Sequence, residues 1–303
     1  MGRSPEAGGT PCLGKAGGRM SIRVGPAGWS YEDWEGNVYP EKRPARFDPL
    51  LYLSHFFDTI EVNSTFYRPV QKGVAQSWVW RVGQNPNFKF AVKLWRGFTH
   101  EPSPVGEGEE SIFKRGLEPL FEAGVLGCLL FQFPWSFKDN PENRARLKGL
   151  FRSFAEYPKV LEVRHASWNR PNFFQFLEEE GVGFVNIDQP LIGRSLSPTQ
   201  KATAPVGYVR LHGRNYQDWF REEAGRDARY NYLYSEEELI PWVERIKRIA
   251  GKAEETYVIT NNHYRGKAVV NALQLKFMLT GERVKAPRGL KELYPVLEKV
   301  AEE

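Results

Sequence analysis

Residues 160–168 read VLEVRHASW, a short apolar run that ends in alternating charged side chains and is followed by an aromatic residue. Seven other short apolar runs also end in a polar cluster or an aromatic residue, and they lie at Ile22–Gly25, Thr59–Val62, Lys89–Leu94, Leu126–Phe131, Gly183–Ile187, Val206–Leu211 and Thr256–Ile259. Runs of this length are typical of buried strands. Eight such strands predict a TIM-type (β/α)8 barrel of the α/β class, whose active sites lie at the C-terminal ends of the strands.

The segments between the runs have helical spacing, which favours a parallel sheet flanked by helices. Two segments depart from this alternation. Residues 190–205 contain several prolines and no helical pattern, so we predict an irregular crossover there. Residues 213–234 form an unusually long connection, rich in Tyr and Arg, that we interpret as a lid or binding arm. Ser235-Glu-Glu-Glu238 predicts a capping box, and Lys285–Glu303 predicts a terminal helix.

The domain organisation predicted from the sequence is a single barrel domain over residues 21–303. A disordered, glycine-rich tail is expected over residues 1–20, and Met1 and Met20 both remain candidate first residues. The net charge of +5 mildly favours an anionic partner. Two cysteines without metal-ligand spacing, and the absence of a long apolar segment, predict a cytoplasmic protein with no membrane partner.

Strand side chains alternate in direction, so residues two positions apart share a face. Three pairs are therefore expected to point into the barrel mouth, namely Glu61 with Asn63, Glu162 with Arg164, and Arg210 with His212. Lys93, Gln132, Asp188 and Asn262 are added because they stand at the ends of other runs. We expect these residues to form one inward-facing polar ring. Burying so many charges is costly, so the ring favours a ligand site over a structural plug.

The residue types suggest separate roles within this ring. We expect acid–base catalysis from Glu61, Glu162, Asp188 and His212, because carboxylates and imidazoles can titrate near neutral pH when buried. The predicted substrate-binding residues are Trp29, Tyr31, Asn63, Tyr67, Lys93, Gln132, Arg164, Trp168, Arg210, Arg214, Asn262 and His263. The lysine and arginines suit phosphate or carboxylate, and the aromatic rings suit sugar faces or bases. A divalent metal on Glu162, Asp188 and His212 remains open, and no organic cofactor motif occurs.

Seven motifs together resemble the YecE-like family, also known as domain of unknown function 72. They are Gly25-Pro-Ala-Gly-Trp-Ser-Tyr31, Glu61-Val-Asn-Ser-Thr-Phe-Tyr67, Phe90-Ala-Val-Lys93, Phe131-Gln-Phe-Pro134, Glu162-Val-Arg-His-Ala-Ser-Trp168, Tyr208-Val-Arg-Leu-His-Gly-Arg214 and Asn261-Asn262-His263. The resemblance runs from about Ile22 to Leu279, with Pro26 where the family more often has Ser. It implies a TIM-type barrel, in agreement with the strand count, and it implies no particular reaction.

Three functional hypotheses remain open from the sequence. The first is an enzyme that acts on a phosphate-containing sugar or nucleic acid, by hydrolysis of a phosphodiester or glycosidic bond. The second is a sugar isomerase or epimerase that uses a base and a polarising cation. The third is a non-catalytic nucleic-acid-binding protein that uses the basic arm with Arg221, Arg226 and Arg229. The sequence favours the first and leaves the oligomeric state undetermined.

Overall fold

The eight predicted strands form a nearly closed parallel barrel. The computed structural model describes residues 21–101, 106–219, 221 and 225–302. The strands are β1 (Ser21–Pro26), β2 (Thr59–Val62), β3 (Lys89–Lys93), β4 (Leu126–Gln132), β5 (Lys159–Glu162), β6 (Val182–Asp188), β7 (Val206–Leu211) and β8 (Glu255–Thr260). Their order around the barrel is β1-β8-β7-β6-β5-β4-β3-β2, which confirms the predicted fold class. The predicted disordered tail, residues 1–20, lies outside the described residues.

The barrel closes between β1 and β2 through a short seam. A single parallel bridge joins Ala27 to Glu61, and the N–H of Gly28 donates to the Glu61 carbonyl at 2.8 Å. Gly25 makes the close approach of the two strands possible, because a Cβ atom there would lie 1.9 Å from the Thr59 carbonyl oxygen. Closure therefore depends on a residue without a side chain at this position.

Helices cover the outside of the barrel. They are α1 (Pro49–Ser54), α2 (Lys72–Val82), α3 (Arg96–Thr99), α4 (Glu107–Glu122), α5 (Pro141–Ser153), α6 (Pro171–Glu179), α7 (Gly225–Ala228), α8 (Glu236–Ala250), α9 (Lys267–Thr280) and α10 (Arg288–Leu293). The predicted capping box of Ser235 and Glu238 is present at the start of α8 and satisfies two backbone donors there. In the described part of the chain, no helix is both long enough and apolar enough to cross a membrane. The cytoplasmic location stays a prediction.

The connection between β6 and β7 has no helix over residues 189–205, all of which are described, so the irregular crossover is confirmed. Asn186 on β6 holds this segment in place of a helix. Its Oδ1 accepts from the Thr199 hydroxyl at 2.8 Å and from the Lys201 N–H at 2.7 Å, and its Nδ2 donates to the Lys201 carbonyl at 2.8 Å. These hydrogen bonds place Asn186 on the outer face of the barrel.

The C-terminal segment departs from the prediction. The described part of Lys285–Glu303 is not one helix but two short pieces, α10 and a 3-10 turn at Pro295–Lys299. Pro295 cannot continue α10, because proline lacks a backbone N–H and clashes with the preceding turn. The segment still packs on the outside of the barrel, with Leu290 and Leu297 buried.

Candidate functional site

The C-terminal ends of the strands surround a cavity of about 950 Å³. This volume is at the upper end of the range typical of small-molecule sites. Nine of the predicted substrate-binding residues line it, namely Trp29, Tyr31, Asn63, Tyr67, Lys93, Gln132, Arg164, Arg210 and His263. The structure therefore brings residues from well-separated parts of the chain to one cavity at the predicted end of the barrel.

A buried ion network forms the floor of the cavity. Arg210 on β7 donates from Nη2 to Oε1 of Glu61 at 2.6 Å and from Nη1 to Oε2 of Glu162 at 2.8 Å. The Tyr208 hydroxyl donates to the second oxygen of Glu61 at 2.8 Å. Arg164 donates from Nε to Oε1 of Glu162 at 2.9 Å. The network ties β2, β5 and β7 together across the barrel interior, where breaking a buried pair is costly.

The charge of Glu162 results from two opposing effects. Burial alone would raise the pKa of this carboxyl, but Arg210, Arg164 and His212 hold it well below its ordinary value. Glu162 therefore stays ionised and cannot act as a general acid near neutral pH. Its role, like that of Glu61, is to hold the arginines in place.

His212 is a neutral imidazole buried beneath the cavity. Nδ2 of Asn261 donates to its Nδ1 at 3.0 Å, so the ring proton is on Nε2, which lies 3.3 Å from Oε1 of Glu162 and donates to it. Burial lowers the pKa of His212 to about 3, although the charge of Glu162 pulls in the opposite direction. His212 does not line the cavity, and this geometry makes it a positioning residue for Glu162.

Lys93, the last residue of β3, lines the cavity and is partly buried. Its Nζ lies 3.8 Å from the centre of the Phe66 ring. Burial and the neighbouring Arg210 charge lower the pKa of this amine to about 7, partly offset by Glu162 and Glu61. A large fraction of Lys93 is therefore uncharged at neutral pH. A desolvated lysine beside other cations is the usual setting of a reactive amine.

The charged side chains that line the cavity all have the same sign. Within the described residues they are Lys93, Arg164, Arg210 and Arg229, and no Asp or Glu lines the wall. Glu61 and Glu162 lie beneath and compensate only part of this charge. The cavity is therefore electropositive, which favours an anionic ligand.

Several polar atoms of the cavity residues lack partners among the described groups. They are Oδ1 of Asn63, Nε1 of Trp135, Nε of Arg210 and Nε of Arg229, all buried. A buried polar atom without a hydrogen bond costs free energy, so such atoms are rare unless a ligand or water pairs with them. Three of the four are donors, which again suits a ligand rich in acceptor oxygens.

A family profile described as "Protein of unknown function DUF72" matches residues 23–293, which is most of the chain. The chain belongs to the DUF72 family. The UPF0759 protein YunF of Bacillus subtilis (strain 168) is 31% identical over 272 residues, covering 85% of this chain and 94% of YunF.

Two solved DUF72 structures are similar over nearly their whole length. The DUF72 family protein TM1631 from Thermotoga maritima MSB8 has a TM-score of 0.75 and 35% identity, covering 86% of this chain and 99% of that one. The DUF72 family protein EF0366 from Enterococcus faecalis V583 has a TM-score of 0.75 and 27% identity, covering 88% and 98%. These similarities support the TIM-barrel fold and indicate no reaction.

In this DUF72 barrel, Asp188 does not face the mouth, so that part of the predicted ring is wrong. It pairs in register with Leu211, whereas its neighbour Ile187 pairs with the inward-facing Arg210. The Asp188 carboxylate accepts from Nε1 of Trp242 at 3.0 Å and pairs with Nη2 of Arg214 at 2.9 Å, on the outer face. Burial raises the pKa of Asp188, and the Arg214 pairing opposes this.

Three predicted substrate-binding residues also lie away from the cavity. Arg214 is occupied by Asp188 and Glu238. Asn262 is buried and donates to the Tyr232 carbonyl at 2.8 Å and to Asn271 of α9 at 2.7 Å. Trp168 is buried in the core, with Nε1 donating to the Phe137 carbonyl at 2.8 Å. Their hydrogen-bonding groups are satisfied by the protein, so a ligand at the mouth cannot reach them.

Other cavity residues were not among the predicted site residues. They are Gly28, Ser30, Ser64, Phe66, His100, Pro134, Trp135, Gln189, Trp219, Arg229, Tyr230 and Asn261. Trp219, Arg229 and Tyr230 come from the long connection after β7, whose aromatic composition was the signal for a binding arm. Asn261 differs from the predicted Asn262 by one position, because β8 ends at Thr260. Ser64 and Gln189 have no distinguishing sequence signal.

The proposed metal ligands do not converge. Asp188 lies on the outer face, while Glu162 and His212 lie inside, bonded to each other and to Arg164. Within the described ranges, no three His, Cys, Asp or Glu side chains are close enough together to hold a metal ion. The residues on the page therefore do not fit a resident metal.

Proposed function

We propose that this protein is an enzyme that acts on a phosphate-bearing sugar or nucleotide at the C-terminal mouth of the barrel. The observation that carries the proposal is the charge of the cavity wall, where every charged side chain of the described residues is a cation. Arg164 and Arg210 are held by buried carboxylates, so their guanidinium groups are oriented before a ligand binds. Arginine recognises phosphate oxygens in a fixed geometry, which makes a phosphate group the best match.

The remaining wall suits the organic part of such a ligand. Trp29, Tyr31, Trp135, Trp219 and Tyr230 line the cavity above the cationic floor. Aromatic faces stack on nucleobases and on the apolar faces of sugars. A volume of about 950 Å³ is large enough for either group together with its phosphate.

The geometry distinguishes between the candidate reactions. Glycosidic hydrolysis needs two carboxylic groups that flank the bond, one of them protonated. Here the two carboxylates lie under the cavity and are occupied by arginines, so this reaction is not favoured. We place the chemistry on Lys93 instead. Its uncharged amine can remove a proton next to a sugar carbonyl, while Arg164 and Arg210 stabilise the oxyanion that develops, as in an isomerase or epimerase.

Phosphodiester hydrolysis is the second candidate reaction. The concentration of Lys93, Arg164, Arg210 and Arg229 at one wall would stabilise the charge of a reacting phosphoryl group. A non-catalytic nucleic-acid-binding role receives less support. Arg229 faces the cavity and Arg221 pairs with Asp218 at 3.8 Å, while the Arg226 side chain lies outside the described residues.

Glycerol 3-phosphate tests the anion site, because it carries a phosphate and no carbonyl. Calorimetric titration should show binding to the native protein, weakened about 10- to 100-fold in Arg164→Gln, as expected for a lost charged hydrogen bond. Arg214→Gln is the matched control, because Arg214 lies at the same end of the barrel but outside the cavity. No binding to the native protein, or equal loss in both variants, would contradict the proposal.

Proton transfer can be measured separately. Incubation with dihydroxyacetone phosphate in D₂O should give deuterium at the carbon next to the carbonyl, detected by NMR, and Lys93→Gln should abolish this exchange. Exchange at the rate of the buffer alone would contradict the isomerase chemistry. Cleavage of a dinucleotide by the native protein would favour the second candidate.

A further inference from the structure

The Lys93 amine differs from the other lysines that burial affects. Nζ of Lys159 donates to the Phe154 carbonyl at 3.2 Å and to the Tyr157 carbonyl at 3.0 Å, and Nζ of Lys276 donates to the Phe56 carbonyl at 2.5 Å. Nζ of Lys93 makes no hydrogen bond or ion pair with any group that the structure describes, and its contact there is the Phe66 ring at 3.8 Å. Its lone pair is therefore open to the cavity.

The carboxylates that could have paired with Lys93 are fully occupied. Both oxygens of Glu61 accept hydrogen bonds, from Arg210 and from Tyr208. Oε1 of Glu162 pairs with Arg164 and His212, and Oε2 pairs with Arg210. The buried negative charge is thus committed to the arginines, and the amine is left without a counter-ion in contact.

We infer that Lys93 is the covalent nucleophile of this site and forms an imine with the carbonyl carbon of its phosphate-bearing ligand. The inference rests on the proposed function, since the arginine wall supplies the anchor for the phosphate. Lys93 stands at the end of β3, on the cavity wall that Arg164 and Arg210 also line, so a ligand anchored by phosphate presents its carbonyl to Nζ.

The step balances without any further reactant. The Nζ lone pair forms a C–N bond to the carbonyl carbon, and the C=O electron pair moves to oxygen, which takes one proton from the nitrogen to give a carbinolamine. The C–O bond then breaks, and the oxygen leaves as water with the second nitrogen proton. The imine nitrogen takes up one proton from solvent, and the resulting positive charge withdraws electrons from the neighbouring carbon.

The surroundings of Lys93 favour this chemistry. A lysine attacks a carbonyl only as the free amine, and the lowered pKa of about 7 makes that form abundant under physiological conditions. Phe66 covers one side of the amine and limits its access to water. Asn63, Gln132 and Asn261 line the same cavity and can bind the hydroxyl groups of a sugar.

Borohydride trapping tests the inference directly. The native protein is mixed with dihydroxyacetone phosphate, reduced with sodium borohydride, digested with trypsin and analysed by mass spectrometry. A reduced adduct blocks cleavage at Lys93, so the expected product is the peptide FAVKLWR, residues 90–96, heavier by the mass of the sugar phosphate less one oxygen atom. Modification should be at least tenfold greater at Lys93 than at Lys276, which serves as the internal reference for a desolvated lysine.

Two matched probes separate the inference from the proposed function. Dihydroxyacetone has the carbonyl without the phosphate and should label Lys93 at least tenfold less. Glycerol 3-phosphate cannot form an imine but should compete with labelling. If glycerol 3-phosphate binds and no adduct forms at Lys93, the imine is wrong and the anion site stands. If glycerol 3-phosphate does not bind, the proposed function fails.

Variants give an independent check. Lys93→Gln should lose the adduct, and Lys276→Gln should retain it. Equal labelling of Lys93 and the surface lysines by dihydroxyacetone phosphate would show general amine reactivity and overturn the inference. The mapping on the native protein decides the question even where a variant folds poorly.

Discussion

Burial acts on three neighbouring side chains with different outcomes. Burial makes Lys93 and His212 lose their protons more readily, so their pKa values fall to about 7 and about 3. Glu162 is equally buried, yet it stays ionised, because two arginines donate to it. The same desolvation therefore gives a reactive amine, a neutral spacer and a fixed anion, depending on which partner each group has.

His212 should make stability depend on pH. Its pKa is about 3 in the folded protein and near the ordinary 6.5 when unfolded, so below pH 6.5 the unfolded state binds a proton that the folded state does not. Stability is therefore lost as the pH falls from about 6.5 towards 3. The contribution between pH 7.5 and 5.5 is about 1.4 kcal/mol.

Urea unfolding at these two pH values would measure the effect. The native protein should lose more free energy of unfolding than His212→Gln by that amount. An identical pH dependence in the two proteins would show that His212 is protonated in the folded state.

Arg210 should be the most sensitive charged residue of the barrel. Arg210→Met leaves Glu61 and Glu162 buried without their shared counter-ion, which should cost about 3–5 kcal/mol. Chemical denaturation would measure the loss. Tyr208→Phe removes one donor to Glu61 from the same strand and should cost less. A loss for Arg210→Met no larger than that of Tyr208→Phe would show that the carboxylates find other partners or protons.

Among the elements, the strand positions were predictable from the sequence, and the facing of every side chain was not. In β2, β5 and β7 the charged residues alternate with apolar ones, so Glu61, Glu162 and Arg210 were correctly placed inside. In β6 both faces are buried, and Asn186 and Asp188 lie on the outer one. A run that is apolar on both faces carries no phase, because parallel strands of a barrel are covered on both sides. The inward-facing phase of Asp188 was wrong for that reason.

The β1–β2 seam should respond to a single methyl group. Gly25→Ala places a Cβ against the Thr59 carbonyl, so the strands must separate, at a cost of about 1–3 kcal/mol. Thermal unfolding would show a lower midpoint. The matched control is Gly149→Ala in α5, where a Cβ meets no atom within 4 Å and alanine should be neutral or stabilising. Equal midpoints for the two variants would mean that the seam tolerates the change.

For the whole molecule, the sequence predicted the barrel and the end that bears the site. It could not predict the composition of the cavity wall, because that depends on long-range placement. Trp219, Arg229 and Tyr230 reach the cavity from a connection without regular periodicity, and Asn261 and Asn262 are adjacent but face opposite ways. Whether a polar side chain meets a ligand or a backbone carbonyl is decided by neighbours distant in sequence.

The electropositive cavity predicts a salt effect. Raising ionic strength from 0.01 to 0.15 M shortens the screening length from about 30 to about 8 Å, so glycerol 3-phosphate should bind several-fold more weakly. Titration at both salt concentrations measures this effect. Arg229→Gln removes one cation from the wall and should reduce the salt dependence. Affinity that does not change with salt would indicate that the ligand binds without charge pairing.

The ion network also has a consequence for synthesis on the ribosome. Glu61 and Glu162 emerge with the first five strands, but Arg210 follows only with the seventh. A nascent partial barrel thus carries two carboxylates on its future axis with no counter-ion, and these groups remain hydrated and oppose premature collapse. The late arginine therefore acts as a check on completeness, and ligand-binding competence should arise only when the full barrel has assembled.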